Sequence, residues 1–191
     1  NPASPLLNRA ISETYPPGST FKVLTTAAAL QSGETPDAEL TAVPAITLPN
    51  STAMLENFGG EPCGDSPTTT LSYAFAHSCN TAFVQLGIHT GAEALRSTAH
   101  AFGIDVVPAP IPLQVAESTI GPIADDAALG MSSIGQKDVA LTLLQNAMIA
   151  ATVANKGITM QPHLVESLIG PDLVNIATIA PSKVRRAVPA Q

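Results

Sequence analysis

The chain lacks tryptophan altogether, only 4% of its residues are aromatic, and only 12% carry charge. Basic residues are scarce: eight lysines and arginines stand against fifteen acidic residues, for a net charge of −7. A nucleic-acid partner needs a basic stripe to neutralise phosphates, and none exists. The one basic cluster, Lys183 with Arg185 and Arg186, reads as a solvated segment. No apolar run approaches the twenty or so residues of a membrane span. No secretory leader is visible and the first residue is Asn1, so the sequence is expected to be a piece of a longer chain. His77, His89, His100 and His163 are scattered without ligand spacing, and Cys63 and Cys79 form neither a Cys-x-x-Cys pair nor a zinc set. Neither a metal nor a cofactor is expected. A phosphate-binding Gly-x-x-x-x-Gly-Lys loop is missing, and Gly130-Met131-Ser132-Ser133 is not the Gly-x-Ser-x-Gly elbow of the α/β-hydrolases.

What is present is a folded chain of one domain's length, 45% hydrophobic over 191 residues. Its organising stretch is Tyr15-Pro16-Pro17-Gly18-Ser19-Thr20-Phe21-Lys22 and the apolar run Val23–Leu30 behind it. The prolines disfavour helix ahead of Gly18. The alanine-rich run favours it afterwards, and Gly33 stands where a C-terminal cap belongs. The pattern predicts a helix over about 19–32, apolar nearly all round and hence buried, with Lys22 as its only charge. Ser19 and Lys22, three apart, share a helix face. Burial drives a lysine toward its neutral form, and a neutral amine beside a hydroxyl makes it a nucleophile. The helix N-terminus adds unpaired N–H groups that favour developing negative charge. With 14 serines and 4 lysines, Ser-x-x-Lys arises by chance roughly one time in three or four, so the motif does not stand alone.

Further along, residues 33–69 read as irregular, with a short strand near 45–48. Thr68, Thr69 or Thr70 caps a helix ending near His77. A break at Ser78-Cys79 leads to a helix through about Gly87. Thr90-Gly91-Ala92-Glu93 fits a capping box for a helix that Gly103 closes. Residues 104–136 are read as a long proline-bearing loop with short helical turns, in which Asp125-Asp126 is a solvated face or helix start. Thr142 opens a helix to about Ala154. Short strands are expected at 158–160 and 163–168, followed by a polar tail.

Ser78-Cys79-Asn80 is the single Ser-x-Asn of the chain, set at the break between two helices. Ser78 can relay a proton, and Asn80 offers an acceptor and donors to a substrate amide; helix capping is the plainer use of both. Taken with Ser19 and Lys22, and with Leu55-Glu56-Asn57-Phe58-Gly59-Gly60, Gly135-Gln136, Ala-Leu-Thr-Leu-Leu-Gln (140–145) and Ala-Asn-Lys-Gly (154–157), the chain resembles a penicillin-binding protein transpeptidase domain. The likeness is to the monofunctional class B group, actinobacterial penicillin-binding protein A type. Leu143 stands where that family usually has proline. The resemblance covers nearly the whole chain, and the family's motif set of Ser-x-x-Lys, Ser-x-Asn-type and Lys-Thr-Gly elements is a general one.

The resemblance implies Ser19 as acylated nucleophile, Lys22 as general base, Ser78 as proton shuttle and Asn80 as binder of the peptide amide. It implies a D,D-transpeptidase acting on peptidoglycan stem peptides that end in D-Ala-D-Ala. It also implies acylation by β-lactams and work among other cell-wall synthesis proteins, on the extracytoplasmic face of a membrane, held by an N-terminal anchor outside this chain. Disulfides persist there, which implies a Cys63–Cys79 bridge closing a loop worth roughly 3 kcal/mol. One departure stands out: no Lys-Thr-Gly occurs. Residues 1–191 are therefore expected to be the mainly helical part of an α/β transpeptidase domain of the penicillin-binding protein and serine β-lactamase type. Most of the central sheet would be missing and the chain would stop before the Lys-Thr-Gly strand. A D,D-carboxypeptidase, a β-lactam sensor and a non-catalytic penicillin-binding module remain alternatives.

Overall fold

The computed structural model describes residue 4, residues 6–108 and residues 110–190; the extreme ends of the expected 1–191 domain and position 109 lie outside them. Among the described residues helices dominate: α1 (Arg9–Ser12), α2 (Lys22–Gln31), α3 (Leu71–Ala76), α4 (Asn80–Thr90), α5 (Ala92–Phe102), α6 (Asp126–Ser133) and α7 (Leu143–Ala154). The strands are β1 (Glu39–Thr41), β2 (Ala45–Thr47), β3 (Met54–Glu56), β4 (Thr68–Thr70), β5 (Ile158–Met160), β6 (Ser167–Ile169), β7 (Asn175–Thr178) and β8 (Lys183–Arg186). They pair only as antiparallel couples, β1 with β4, β2 with β3, β5 with β8 and β6 with β7. The mainly helical architecture expected from sequence is what the chain adopts.

Two apolar cores meet at α2. Leu24 and Ala28 join Phe21, Leu95, Phe102, Ile120 and Ile149 on one side. Ala29 joins Leu71, Ala74, Phe83, Leu86 and the two cysteines on the other. The alanines let neighbouring elements come close to the helix axis. The outward positions Val23, Thr26, Ala27 and Leu30 are only half-buried. They line an open apolar groove of about 230 Å³ with Phe75, Val153 and Val188. The expectation of burial all round therefore fails on this one face.

α4 crosses α6 where Gly87 leaves room. A Cβ there would lie 1.8 Å from Ser133 Oγ, so a larger residue would force the helices apart. Thr25 Oγ1 donates to the Ser133 carbonyl at 2.7 Å, fixing α2 to the end of α6.

Several local expectations are corrected. The capping box does not form, because α4 runs through Thr90 and Gly91 takes the N-cap position of α5 without a side-chain bond. A threonine already inside one helix cannot turn its hydroxyl to cap the next. The segment 104–136 contains a full helix, α6, whose N-cap Asp125 accepts from the Ala128 amide. Asp125-Asp126 is thus a helix start. The second late strand is Ser167–Ile169, displaced from 163–168, and the polar tail holds two more strands, β7 and β8. Arg185 and Arg186 are not merely solvated: they donate to the carbonyls of His100 and Lys156. Neither strand alternates between a buried and an exposed face; β7 closes a hairpin with β6, and β8 is formed by pairing with the more distant β5.

Candidate active site

Ser19 lies in a 3-10 turn, Gly18–Phe21, that runs into α2. The turn begins at Gly18, whose φ of +58° is the left-handed region that glycine enters at little cost. Its N–H donates to the Gly135 carbonyl at 2.9 Å. The approach is so close that a Cβ on Gly135 would sit 2.1 Å from the Gly18 carbonyl oxygen. Thr20 Oγ1 adds a bond to the Pro17 carbonyl at 2.9 Å. Tyr15 pairs with Leu141 through both backbone bonds, at 2.8 and 2.9 Å. The turn is thus bolted to the 135–141 segment, and Ser19 itself is exposed.

Lys22, one turn on, is 1% exposed. Its Nζ donates to the Ser78 carbonyl at 2.7 Å, to Ser78 Oγ at 3.1 Å and to Asn80 Oδ1 at 2.8 Å. These use all three ammonium donors, and none goes to Ser19 Oγ. Phe83 lies beneath, its ring centroid 5.4 Å from Nζ. Burial lowers the Lys22 pKa from its ordinary 10.5 to about 8. The structure therefore brings Lys22 into hydrogen-bond contact with Ser78 and Asn80, 56 and 58 residues further along the chain, with Ser19 in the turn that opens the same helix.

The Ser-x-Asn segment is held from several directions. Ser78 takes a φ of +56°, a left-handed conformation that a non-glycine residue keeps only where its surroundings enforce it. Cys79, between Ser78 and Asn80, is joined to Cys63 by a disulfide with a Cα–Cα distance of 5.9 Å. Asn80 Nδ2 donates to the Glu56 carbonyl at 3.0 Å, which orients the amide so that Oδ1 faces Lys22. One hydrogen and one lone pair of that amide remain for another partner.

Asn57 supports the site without any local signal in the sequence. It is 9% exposed. Its Oδ1 accepts from the Thr81 N–H at 3.0 Å, so it caps α4 from outside the helix. Its Nδ2 donates to the Val43 and Glu61 carbonyls, both at 3.1 Å. Thr81 Oγ1 donates to that same Val43 carbonyl at 2.9 Å. No local signal marks a cap supplied from 24 residues away. Leu55-Glu56-Asn57-Phe58-Gly59-Gly60 carries a family likeness, but nothing local in it marks the contact of Asn57 with Thr81.

Among the described residues no group of histidines, cysteines and acids is disposed to hold a metal ion, and no helix is long and apolar enough to cross a membrane.

Residues 1–190 match the family described as "Penicillin binding protein transpeptidase domain". The chain is 71% identical over 191 residues to the "Peptidoglycan D,D-transpeptidase PbpA" of Mycobacterium tuberculosis and 68% identical to that of Mycolicibacterium smegmatis. Each match covers 100% of this chain but 39% of the relative's length. Among solved structures, the imipenem acyl-enzyme complex of penicillin-binding protein A from M. tuberculosis superposes with a TM-score of 0.94 at 71% identity, over 100% of this chain and 44% of that one. The D,D-transpeptidase domain of a peptidoglycan glycosyltransferase from Eggerthella lenta superposes at 0.85 with 30% identity, over 99% and 49%. With the motif geometry, these matches show that the chain belongs to the penicillin-binding protein transpeptidase domain family.

Proposed function

We propose that this chain carries the nucleophile-bearing half of a peptidoglycan D,D-transpeptidase. The observation that supports this most is the contact of Lys22 Nζ with Ser78 Oγ and Asn80 Oδ1 one helical turn after Ser19. In the amine form Lys22 has two N–H donors and a lone pair, so one of its three bonds lapses and the lone pair is free to take the Ser19 Oγ proton. Ser19 Oγ then attacks the carbonyl carbon between two D-alanines. The resulting negative charge forms beside the amides at the start of a helical run, which lack intrahelical acceptors. The proton passes by way of Lys22 and Ser78 Oγ to the nitrogen of the departing D-alanine, leaving an ester on Ser19. An amine of a second stem peptide attacks that ester and restores the serine hydroxyl. Asn80 binds the donor peptide amide with its remaining hydrogen and lone pair.

The substrates are stem peptides ending in D-Ala-D-Ala, and a β-lactam acylates the same serine. The solved relative with imipenem is an acyl-enzyme complex, which supports that reading. The chain spans 39% of its PbpA relatives; we place the Lys-Thr-Gly strand and the rest of the sheet in the remainder of the protein. The site works on the extracytoplasmic face of the membrane, held by an anchor outside this chain and beside other cell-wall synthesis proteins; the Cys63–Cys79 disulfide suits that compartment. The test is covalent labelling of the full-length protein with a tagged penicillin and peptide mapping. The tag is expected on Ser19 and absent in Ser19→Ala. A tag on Ser78 or Ser132 overturns the assignment.

A further inference from the structure

A second groove opens beside Ser78, about 230 Å³ in volume, between the loop that follows β3 and the end of α3. Phe58, Glu61, Gly64, Tyr73, His77 and Ser78 line it. The Tyr73 and His77 rings stack at 4.0 Å between centroids. Gly64 packs close to the tyrosine ring, where a Cβ would lie 3.5 Å from it. Phe58 is 98% exposed, although its neighbour Asn57 is locked in place. The stacked Tyr73 and His77 rings at the end of α3 therefore face a loop, carrying Phe58 and Glu61, that the Cys63–Cys79 disulfide and Asn57 hold in place.

The groove is too small for a whole stem peptide, since sites for drug-sized ligands run from about 300 Å³ upward. It suits one aliphatic side chain. Glu61 is the acidic residue of its lining, which holds neither lysine nor arginine. The other substrate of a transpeptidase brings an aliphatic amine, protonated in water, which a carboxylate beside aromatic rings attracts.

We propose that this groove binds the amine-bearing side chain of the second, acceptor substrate and delivers it to the Ser19 ester past Ser78; the proposal rests on the transpeptidase reading above. Glu61 and the ring wall hold the chain as an ammonium ion. The ion releases one proton to water as it moves inward. The neutral nitrogen attacks the ester carbonyl carbon, a C–N bond forms, and the bond from that carbon to Ser19 Oγ breaks. The second proton leaves the nitrogen through Ser78 Oγ and Lys22 Nζ and ends on Ser19 Oγ. No other reactant is needed.

The experiment uses the full-length protein, a depsipeptide donor ending in D-Ala-D-lactate, and Nα-acetyl-lysine amide as acceptor, a probe with one aliphatic amine and no carboxylate. Aminolysis and hydrolysis products are separated, and the acceptor concentration giving half-maximal aminolysis is compared with the penicillin acylation rate of the same variant. Glu61→Gln is expected to raise the half-maximal concentration about 3- to 5-fold relative to acylation, the size of one partly exposed ion pair. Glu61→Lys raises it further, and high salt narrows the gap between variants. Hydroxylamine, which is uncharged at neutral pH, shows no such dependence. If wild-type protein aminolyses the ester but Glu61→Gln and Glu61→Lys leave the half-maximal concentration unmoved, the groove is not the acceptor site. If the two variants slow acylation and aminolysis alike, Glu61 acts through the fold and the proposal falls. If wild-type protein is acylated but transfers to no amine, the transpeptidase reading falls first and takes this proposal with it.

Discussion

The two long sides of α2 differ in a way its composition hides. The inner side carries Lys22, Leu24, Thr25, Ala28 and Ala29, all buried, with the lysine satisfied by three bonds and the threonine by one. The outer side carries Val23, Thr26, Ala27 and Leu30, no less apolar yet only half-buried along an open groove. What decides burial is not hydrophobicity but whether another element covers the side. Charge chemistry and packing are concentrated on one side, and the other lines an open apolar groove, which we propose the remainder of the protein covers.

The largest difference between the sides is expected at Lys22. Lys22→Met keeps the apolar stem but removes the base, and penicillin acylation should fall at least ~100-fold, measured by stopped-flow or gel labelling. The acylation rate of the wild-type protein should rise with pH through about 8, because burial lowers the lysine to that value and the amine is the competent form. The same shift ties stability to pH. The folded state loses its proton near 8 and the unfolded chain near 10.5, so the burden of burying the ammonium is full below pH 8 and is relieved between the two values. A flat acylation profile from pH 6 to 9 breaks the assignment of Lys22 as base.

Next come the packing contrasts. Leu24→Ala, on the inner side, should cost about 2–5 kcal/mol in denaturant unfolding. The matching outer change, Leu30→Ala, should cost under about 1 kcal/mol in the isolated chain. It should cost more in the full-length protein, where we expect the groove to be covered. Equal costs in the two contexts would mean that nothing covers it. Expressed alone, the 191 residues should aggregate through this face and acylate poorly; a monomeric chain labelled as fast as the full protein would break that expectation.

The supports of the Ser78 segment follow in size. Removing the disulfide with Cys63→Ser and Cys79→Ser should cost roughly 3 kcal/mol on the chain-entropy view. Intact mass after alkylation without reductant checks the bridge itself: two added alkyl groups would exclude it. Asn57→Ala leaves the Thr81 N–H and the Glu61 carbonyl without their side-chain partner, while the Val43 carbonyl keeps Thr81 Oγ1, at about 1–3 kcal/mol. It should also slow acylation more than Leu30→Ala does, because it loosens the N-terminus of the helix that begins with Asn80.

The sequence by itself determined the local pieces. Pro16-Pro17-Gly18 followed by an alanine-rich run starts a helix whatever lies around it, since proline geometry and helix propensity act within a few residues. The spacing of Ser19 and Lys22 is likewise set by one helical turn, and Ser78 and Asn80 mark a helix break that any reader of motifs can find. Only tertiary structure decided that Lys22 would spend its donors on a segment 56 residues away, that Asn57 would cap α4, and that β8 would pair with β5. Each of those depends on the free energy of burial and on hydrogen bonds between residues far apart in the chain, which no local periodicity records. The half-open face of α2 is the clearest case. Its residues announce that they are apolar, but whether they are covered depends on which surfaces come to lie against them.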